Sequence, residues 1–467
     1  MGSESTYDLV VIGCGAAGLS AALGYADAAT EQGQTARIAV LERASLADRG
    51  GATRWTGARM RVDDDGALDP TFTEVVMASH PDADADYCRA LEEEAPMTIH
   101  LLRERGVEIQ TGPLGLASEL ASGRETAPKG GGKEILDKLA AALEAYEGAE
   151  ILYETEAVDL TVGDDGLVDG VRVRGSDGCL RALRGHAVVI ACGGFEGSKE
   201  MLTQYAGPGA CDLPLIAPGI ANNRGEGLRM AVAVGADTAG QFDMLHTEPA
   251  DPRTSHPDAV IYGTPYGIVV NQRAERFFDE GKRTFEAGFE SLGLEIWRNQ
   301  GQKAYFIGDQ TSLKVPYFEF LNATDQPPVA GDTVRELAEK LGLDPARLEA
   351  TVAGFNAATT DAEFDPTRKD GKATVGLDPP KSNWAFPLDA SPYFAYPLTS
   401  AVCFTFGGIR TDAQARVVTP AGRVIPRLYA AGEVTGLFYH EYPVGTSVLR
   451  ALTFGRLAGT HAAGQRA

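Results

Sequence analysis

The sequence of 467 residues lacks three features that mark common protein classes. It contains no run of 18 or more apolar residues, so we expect no integral membrane segment. Its six cysteines form no CxxC pair, so no zinc or other metal site is predicted, and the thiols are expected to be reduced. No basic stretch followed by an apolar segment opens the chain, which favours a cytoplasmic protein over a secreted one.

Positive charge is also in short supply. Lys and Arg number 42 against 65 Asp and Glu, which gives a formal net charge of −23. A chain with this charge repels phosphate backbones, so no nucleic acid partner is expected. A small-molecule substrate, even an anionic one, is compatible with it, because a few local arginines outweigh a distant field that salt screens.

Glycine, in contrast, is abundant, with 55 residues clustered between short apolar runs. A chain of this length is expected to divide into two domains. The sequence predicts a buried strand at residues 7–12, a helix at 19–29 and a second strand at 36–41. Together these three elements make a βαβ unit of a parallel sheet. Further elements are predicted as strands at 187–191 and 427–431, an antiparallel meander over 150–175, helices within 85–105 and 132–146, and a final helix near 447–464.

Composition changes between about residues 240 and 385, where prolines and aromatics concentrate. The spacing of apolar residues there predicts helices over 334–341 and 345–358. The chain then returns to its glycine-rich pattern. We therefore predict an insertion, with domain bounds of 1–240 for the first part of one domain, 241–385 for the inserted domain, and 386–467 for the second part of the first domain.

The sequence GCGAAG at residues 13–18 is a GxGxxG motif between the first strand and the helix. Its first glycine permits a tight turn, its second lets the backbone approach a pyrophosphate, and its third lets helix and strand pack closely. The helix N-terminus then offers N–H groups and a positive dipole end to the phosphates. Glu42, at the end of the second strand, is placed to bind the ribose hydroxyls. Glycines also mark tight turns that bind nothing, but these features together predict a bound dinucleotide.

Three further segments favour FAD over NAD as that dinucleotide. The loop at 49–53 can run along the pyrophosphate, and the AGEVTG run at 431–436 suits the ribityl chain. Residues 445–447 open the last helix, whose N-terminus can stabilise negative charge at N1 and O2 of the reduced flavin. Because residues 51–57 contain no histidine, non-covalent FAD is expected. The predicted FAD contacts are Gly13, Gly15, Ala16, Ala17, Gly18, Glu42, Arg43, Gly50, Gly51, Ala52, Thr53, Thr56, Gly57, Ala157, Cys192, Gly193, Gly194, Gly432, Glu433, Gly445, Thr446, Ser447 and Val448.

These motifs resemble those of the FAD-dependent fumarate reductase and succinate dehydrogenase flavoprotein superfamily. The matching stretches are, in chain order, GCGAAGLSAA, GGATRWTG, VVIACGGFEG, NNRGEGLRMA, YGIVVNQRAERFFDE, FTFGGIRTD, LYAAGEVTG and TFGRLAG. The resemblance implies an α/β fold, with a Rossmann-type, GR2-like FAD-binding domain and an inserted α+β cap domain that closes over the flavin. Within the superfamily, the run FYHEYP at 438–443 most resembles tricarballylate dehydrogenase.

Two positions depart from the fumarate reductases of this superfamily. Those enzymes grip a dicarboxylate with a histidine just before the TxGG segment and an arginine in the C-terminal loop, where this chain has Phe404 and Tyr442. Their proton-donating arginine corresponds to the neighbourhood of Arg283, which is one place off register. Tyr442, followed by a proline, also resembles the tyrosine with which ketosteroid dehydrogenases polarise a ketone oxygen.

The resemblance and the loop chemistry together give a set of candidate catalytic and substrate-binding residues. The catalytic candidates are Tyr442, His440, Arg283 and His246. Substrate binding is expected of Phe404 and Thr405, together with Tyr442 and His440. Each has a structural alternative, since His440 can pack on Tyr439 and Arg283 can pair with Glu280 or Glu286.

The activity implied by the resemblance is FAD-dependent desaturation of a CH–CH bond in a carboxylic acid or ketone, with hydride transfer to flavin N5, as in tricarballylate dehydrogenase. The alternatives are a ketone or 3-ketosteroid-type 1,2-desaturase and a fumarate- or urocanate-type ene-reductase. A flavin-binding protein without turnover is the alternative of another class. Electrons are expected to leave through oxygen, a quinone or a partner protein.

Overall fold

The computed structural model describes residues 6–113, 115–121 and 124–465. It divides into two compact units. Unit 1 comprises Met1–Gly112, Glu125–His246 and Cys403–Ala467, and unit 2 comprises Pro113–Arg124 and Thr247–Val402. No sequence signal assigned the stretch Pro113–Arg124 to the second unit. The division into an FAD-binding domain and a cap stays a prediction.

Regular elements occur throughout the described residues. The helices are α1 Ala16–Glu31, α2 Thr71–Ser79, α3 Ala85–Glu104, α4 Gly131–Glu144, α5 Lys199–Ala206, α6 Glu226–Ala233, α7 Phe285–Asn299, α8 Val334–Leu341, α9 Pro345–Ala358 and α10 Ser447–Gly464. The strands are β1 Thr6–Ile12, β2 Ile38–Leu41, β3 Ile109–Pro113, β4 Arg124–Pro128, β5 Ala149–Leu152, β6 Glu156–Val162, β7 Val168–Arg174, β8 Leu180–Ile190, β9 Thr238–Ala239, β10 Leu245–Ala250, β11 Ile268–Asn271, β12 Ala304–Gly308, β13 Val329–Gly331, β14 Tyr393–Thr405, β15 Gly408–Ile409, β16 Arg416–Val418 and β17 Val424–Ala430. None of these helices is long and apolar enough to span a lipid bilayer.

Unit 1 is built on a parallel sheet in the strand order β17, β8, β1, β2, β5. β16 extends the sheet antiparallel to β17, and the predicted meander is confirmed as β6 and β7 beside β8. Ile12 lies in register with Leu41 and Ile190, and Ile190 with Ala430, so four strands end at one edge. The predicted α/β class is confirmed, and this edge is where a doubly wound sheet binds ligands.

Helices α1 and α10 pack closely in unit 1 because glycines admit the backbone of the facing helix. A Cβ at Gly455 would overlap Ala17 O, and one at Gly459 would overlap Ala21 O. At Gly24 a Cβ would lie 2.7 Å from Arg456 O. The two helices that follow β1 and β17 are therefore held together by backbone contact, although more than 400 residues separate them in the sequence.

Unit 2 contains an antiparallel sheet in the order β10, β14, β12, β11, with β13 against β14. The predicted helices over 334–341 and 345–358 are confirmed as α8 and α9. The Thr333 and Asp344 side chains cap them by accepting the N–H groups of Glu336 and Arg347. The chain passes from unit 1 to unit 2 within β10 and returns within β14.

Candidate active site

The turn after β1 is shaped by two of the three motif glycines for reasons internal to the protein. Gly13 has φ +110, and a Cβ there would overlap Ala191 O. A Cβ at Gly18 would overlap Gly13 O. No residue other than glycine therefore fits either position in this fold.

The middle glycine of the motif has no such internal reason. Gly15 has φ −80, which any residue adopts, and the nearest atom to a Cβ built there is Thr53 Oγ1 at 3.4 Å. Gly15 precedes the first turn of α1, where Thr53 Oγ1 accepts the Ala16 N–H at 3.1 Å. Ala17, in the same turn, is buried. The space beside Gly15 suits close approach of a ligand to the backbone, as a bound pyrophosphate requires.

Glu42, at the end of β2, is buried and fixes the loop that follows it. Its two carboxylate oxygens accept the N–H groups of Ala44 at 2.8 Å and Gly50 at 3.1 Å. Burial raises the pKa of this carboxyl. The next residue, Arg43, forms ion pairs with Glu156 and Glu226. The Arg43 guanidinium therefore neutralises acidic side chains of the protein in the structure.

The loop from Gly50 to Gly57 is held against the N-terminus of α4. Gly50 has φ +101, and a Cβ there would overlap the Leu136 side chain. Thr56 O accepts the Gly132 N–H at 2.9 Å, and Thr56 Oγ1 accepts the Ala58 N–H at 3.1 Å. The predicted contacts Gly51, Ala52 and Thr53 form the short 3₁₀ turn of this loop, and Gly57 is exposed.

The segment after β8 brings Cys192, Gly193 and Gly194 to the same edge of the sheet. Burial, reinforced by the charge of Glu226, raises the pKa of the Cys192 thiol to about 12, so this cysteine stays a neutral thiol. A Cβ at Gly193, where φ is +75, would press on the Asn223 side chain. Ala157, on β6, is buried.

Glu433 follows β17 and is held by a network that the sequence did not predict. Its Oε1 accepts the Thr405 N–H at 3.0 Å, and its Oε2 accepts the Asn223 side-chain amide at 3.4 Å. The same amide donates to Glu196 Oε1 at 2.6 Å. Asn223 and Glu196 lie in the stretches NNRGEG and GGFEG, so the motifs contained the signal, but no rule of spacing pairs them. Gly432, beside Glu433, has φ +83.

The N-terminus of α10 is capped by the hydroxyl group of a tyrosine that precedes the helix in the sequence. The Tyr442 hydroxyl oxygen accepts the Thr446 N–H at 3.0 Å and the Ser447 N–H at 2.9 Å. Thr446 Oγ1 donates to Pro443 O at 2.8 Å, and Gly445, with φ +80, accepts the Arg61 N–H at 2.9 Å. The sequence predicted that these helix N–H groups stabilise the flavin, whereas in the structure two of them donate to Tyr442. Val448 follows in the first turn and is half-buried.

Aromatic rings surround Tyr442 within unit 1. Phe404 lies at 4.9 Å, His246 at 4.8 Å and Phe438 at 5.2 Å between ring centroids, each edge-on to the tyrosine. His246 also stacks on Phe404 at 4.6 Å. Tyr442, His246 and Phe438 are almost fully buried. The structure thus brings together three of the predicted site residues, His246, Phe404 and Tyr442, in one cluster of rings, which we call the Tyr442 cluster.

His440 lies outside the Tyr442 cluster. Its side chain is exposed, its backbone has φ +57, and its N–H donates to Gln241 Oε1 at 2.8 Å. Its ring lies 6.0 Å from the His80 ring, and Tyr439 stacks on His80 at 4.4 Å. The predicted catalytic histidine of the loop is therefore a surface residue beside His80.

Arg283, the remaining catalytic candidate, lies in unit 2. Its guanidinium donates to Glu119 Oε2 at 2.7 and 3.1 Å, and Glu119 has a lowered pKa, with this arginine as the main stabilising group. The alternative partners expected from the sequence were wrong. Glu280 pairs with Arg276, and Glu286 accepts the Glu119 N–H at 2.7 Å. Glu119 was missed because it lies 164 residues away.

The residues of unit 1 fit a bound FAD on two observations. Gly15 leaves room that the protein itself does not use, and Ser447 Oγ and Trp55 Nε1 are buried without a hydrogen-bond partner in the described part of the chain. A buried polar atom left in this way costs about 1–3 kcal/mol, which a polar ligand can recover. The chain would hold FAD through the turn at Gly15, the loop after Gly50, Glu433 and the start of α10.

Comparison with known proteins agrees with this cofactor. The family described as an FAD binding domain matches residues 8–448. The chain is 29% identical to the NADH:acrylate oxidoreductase of Vibrio harveyi, over 81% of this chain and 37% of that protein. It is 26% identical to a fumarate reductase (cytochrome) of Shewanella frigidimarina, over 98% and 77% of the two chains. It is 30% identical to the 3-oxosteroid 1-dehydrogenase of Mycobacterium tuberculosis, over 72% and 63%. The chain thus spans little more than a third of the first relative.

Solved structures share the fold. A 3-ketosteroid-Δ4-(5α)-dehydrogenase from Rhodococcus jostii RHA1, in complex with 4-androstene-3,17-dione, matches with a TM-score of 0.74 at 27% identity, over 99% of this chain and 98% of that one. A flavocytochrome c3 fumarate reductase in an open conformation matches with a TM-score of 0.78 at 24% identity, over 99% and 79%. Because the family match covers nearly the whole sequence, this chain belongs to the FAD binding domain family.

Proposed function

We propose that the protein desaturates a CH–CH bond next to the carbonyl of a ketone, with Tyr442 as the hydrogen-bond donor to that carbonyl. The observation that carries the proposal is the pair of N–H groups, from Thr446 and Ser447, that the Tyr442 hydroxyl oxygen accepts at 3.0 and 2.9 Å. When bound, FAD supplies the hydride acceptor for this chemistry.

The two accepted hydrogen bonds decide what the Tyr442 hydroxyl can do. They use both lone pairs of the oxygen, so the group can enter a further hydrogen bond only as a donor. N–H groups at a helix N-terminus also stabilise negative charge on that oxygen, which strengthens the O–H as a donor. Removal of an α-proton builds negative charge on the carbonyl oxygen, and a donor there lowers the barrier. We therefore assign Tyr442 this role and not that of the base.

The rings of the Tyr442 cluster favour a ketone over a polycarboxylate. Phe404 and Tyr442 replace the histidine and arginine that the resemblance expects for gripping a dicarboxylate. A phenyl ring gives a carboxylate no hydrogen bond, whereas it packs well against an alicyclic ring. The 30% identity to a 3-oxosteroid 1-dehydrogenase supports the same choice.

A carboxylic acid substrate is the second candidate, as in tricarballylate dehydrogenase or, in the reductive direction, an ene-reductase. Buried His246, edge-on to Tyr442 at 4.8 Å, is the observation that favours it, because a protonated imidazole could pair with one carboxylate. The identities to an acrylate oxidoreductase and a fumarate reductase support this candidate. In either direction we propose that electrons are exchanged with oxygen, a quinone or a partner protein.

Anaerobic reduction of the bound FAD distinguishes these functions. The purified holoprotein would be mixed with a cyclohexanone, a 3-ketosteroid, tricarballylate and succinate in turn, and loss of flavin absorbance followed. We expect bleaching by a ketone and none by the two acids. Bleaching by tricarballylate alone would contradict the ketone proposal, and bleaching by none of them, with no reoxidation of reduced flavin by fumarate or acrylate, would contradict both candidates.

A further inference from the structure

Glu196 and Glu433 place two carboxyl groups against each other in unit 1. A Cβ built at Gly194 would overlap Glu433 Oε1 and would lie 2.9 Å from Glu196 Oε2, so both groups converge on this glycine. Asn223 bridges them, since its amide donates to Glu196 Oε1 at 2.6 Å and to Glu433 Oε2 at 3.4 Å. Glu196 is 1% exposed, whereas Glu433 is half-buried.

One of the four carboxyl oxygens of this pair, Oε2 of Glu196, has no hydrogen-bond partner among the described residues. This oxygen is buried, and it stays without a donor if both groups are ionised carboxylates. Two ionised carboxyl groups in contact away from water repel each other, and one of them takes up a proton instead. A proton on Glu196 Oε2 turns this oxygen into a donor and gives Glu433 a further hydrogen bond beside those from Thr405 and Asn223.

The surroundings place that proton on Glu196. Burial, followed by the charge of Glu433, raises the pKa of Glu196 well above its ordinary value. Burial also raises the pKa of Glu433, but a hydrogen bond from Glu196, the Thr405 N–H at 3.0 Å and the cation of Arg450 favour the charged form of this group. Arg450 is itself buried on α10 and donates to Thr435 O at 3.1 Å.

We propose that Glu196 is a neutral carboxylic acid whose proton positions the carboxylate of Glu433 for FAD. Glu196 is then a positioning residue that acts through Glu433, behind the surface that FAD contacts. The inference deepens the assignment of FAD binding to Glu433, and it rests on that proposed contact. It predicts that FAD binds best when Glu196 is protonated.

Infrared spectroscopy tests the proton without reference to FAD. The difference spectrum between wild-type protein and Glu196→Gln, both at neutral pH and free of FAD, is expected to contain the C=O stretching band of a protonated carboxylic acid. Glutamine is the matched control, because its amide has the shape of the protonated acid and donates to Glu433 at any pH. A difference spectrum without that band would overturn the proposal.

FAD affinity tests the positioning role. In wild-type protein the dissociation constant for FAD, measured by flavin fluorescence, is expected to rise as pH rises and Glu196 ionises, whereas that of Glu196→Gln is expected to change less over the same range. Titration of free FAD and of other residues affects both proteins alike. Glu196→Ala, which removes the donor, is expected to weaken FAD binding about tenfold or more at neutral pH, and glutamine to restore it.

Two outcomes contradict this role. Parallel pH profiles for wild type and Glu196→Gln would overturn the link between the proton and FAD. Unchanged FAD affinity in Glu433→Gln would instead overturn the proposed contact between Glu433 and the cofactor, and with it the positioning role, while the infrared band still reports on the proton.

Discussion

Two strand–turn–helix segments of unit 1 end at the same edge of the sheet and reach their helices in different ways. Between β1 and α1 the chain takes three residues, and the backbone path is fixed by glycines that would clash if they carried a Cβ. Between β17 and α10 it takes 16 residues, and side chains fix the path, chiefly Glu433 and Tyr442. The short turn follows local rules, whereas the long loop contains Tyr442, to which we assign the chemistry; loops of this kind commonly distinguish the members of one fold.

The largest expected effect distinguishes two glycines of the GxGxxG motif, Gly15 before α1 and Gly18 within it. Gly18→Ala is expected to destabilise the apoprotein by about 3 kcal/mol, because its Cβ would overlap Gly13 O. Gly15→Ala is expected to leave stability within about 1 kcal/mol, because the nearest atom to its Cβ is 3.4 Å away. Urea unfolding of both variants measures this.

Gly15→Ala also tests the cofactor assignment. We expect it to weaken FAD binding at least about tenfold, as the methyl group occupies space that the pyrophosphate needs. Equal FAD affinity of Gly15→Ala and wild type, measured by equilibrium dialysis, would contradict the proposed contact between this turn and the pyrophosphate.

An intermediate effect concerns Glu196, the partner of Glu433 in the long loop, and the pH dependence of the protein's stability. The raised pKa of Glu196 means that the folded protein binds its proton more tightly than the unfolded chain does. This contribution to stability is present below the ordinary glutamate pKa and is lost as pH rises through the folded value. The stability of Glu196→Gln relative to wild type is therefore expected to increase with pH. Thermal unfolding of both apoproteins across the pH range measures this difference in stability. A difference that stayed constant or fell as pH rose would contradict the expectation.

The smallest effect is expected at His440, which neighbours Tyr442 in sequence but is exposed. His440→Asn keeps a residue that tolerates the φ of +57. Substrate-driven flavin reduction is expected to change by no more than about twofold, as for other surface substitutions. A loss comparable to that of a Tyr442 variant would return His440 to the mechanism.

Local signals made much of the fold predictable. The strand at 7–12, the helices at 334–341 and 345–358 and the final helix from Ser447 are confirmed, because each depends on apolar periodicity and caps within a few residues. The predicted first helix began at residue 19, whereas α1 begins at Ala16, since the helix starts directly after Gly15.

The candidate site was predictable only as a set of residues and not as a set of contacts. Phe404, His246 and Tyr442 were named, but the donation of the Thr446 and Ser447 N–H groups to Tyr442 depends on how the loop closes. Glu196 and Glu433 are 237 residues apart, and Glu119 and Arg283 are 164 apart, so no periodicity connects them. Burial creates their pairing, and burial is a property of the folded chain.

The most direct test of the account is the rate of anaerobic flavin reduction in Tyr442→Phe, measured by rapid mixing with a saturating ketone that bleaches the wild-type enzyme. We expect the variant to bind FAD normally and to be reduced about 10²–10³-fold more slowly, the cost of removing a donor to a developing oxyanion. Reduction at the wild-type rate with FAD still bound would contradict the proposed role of Tyr442.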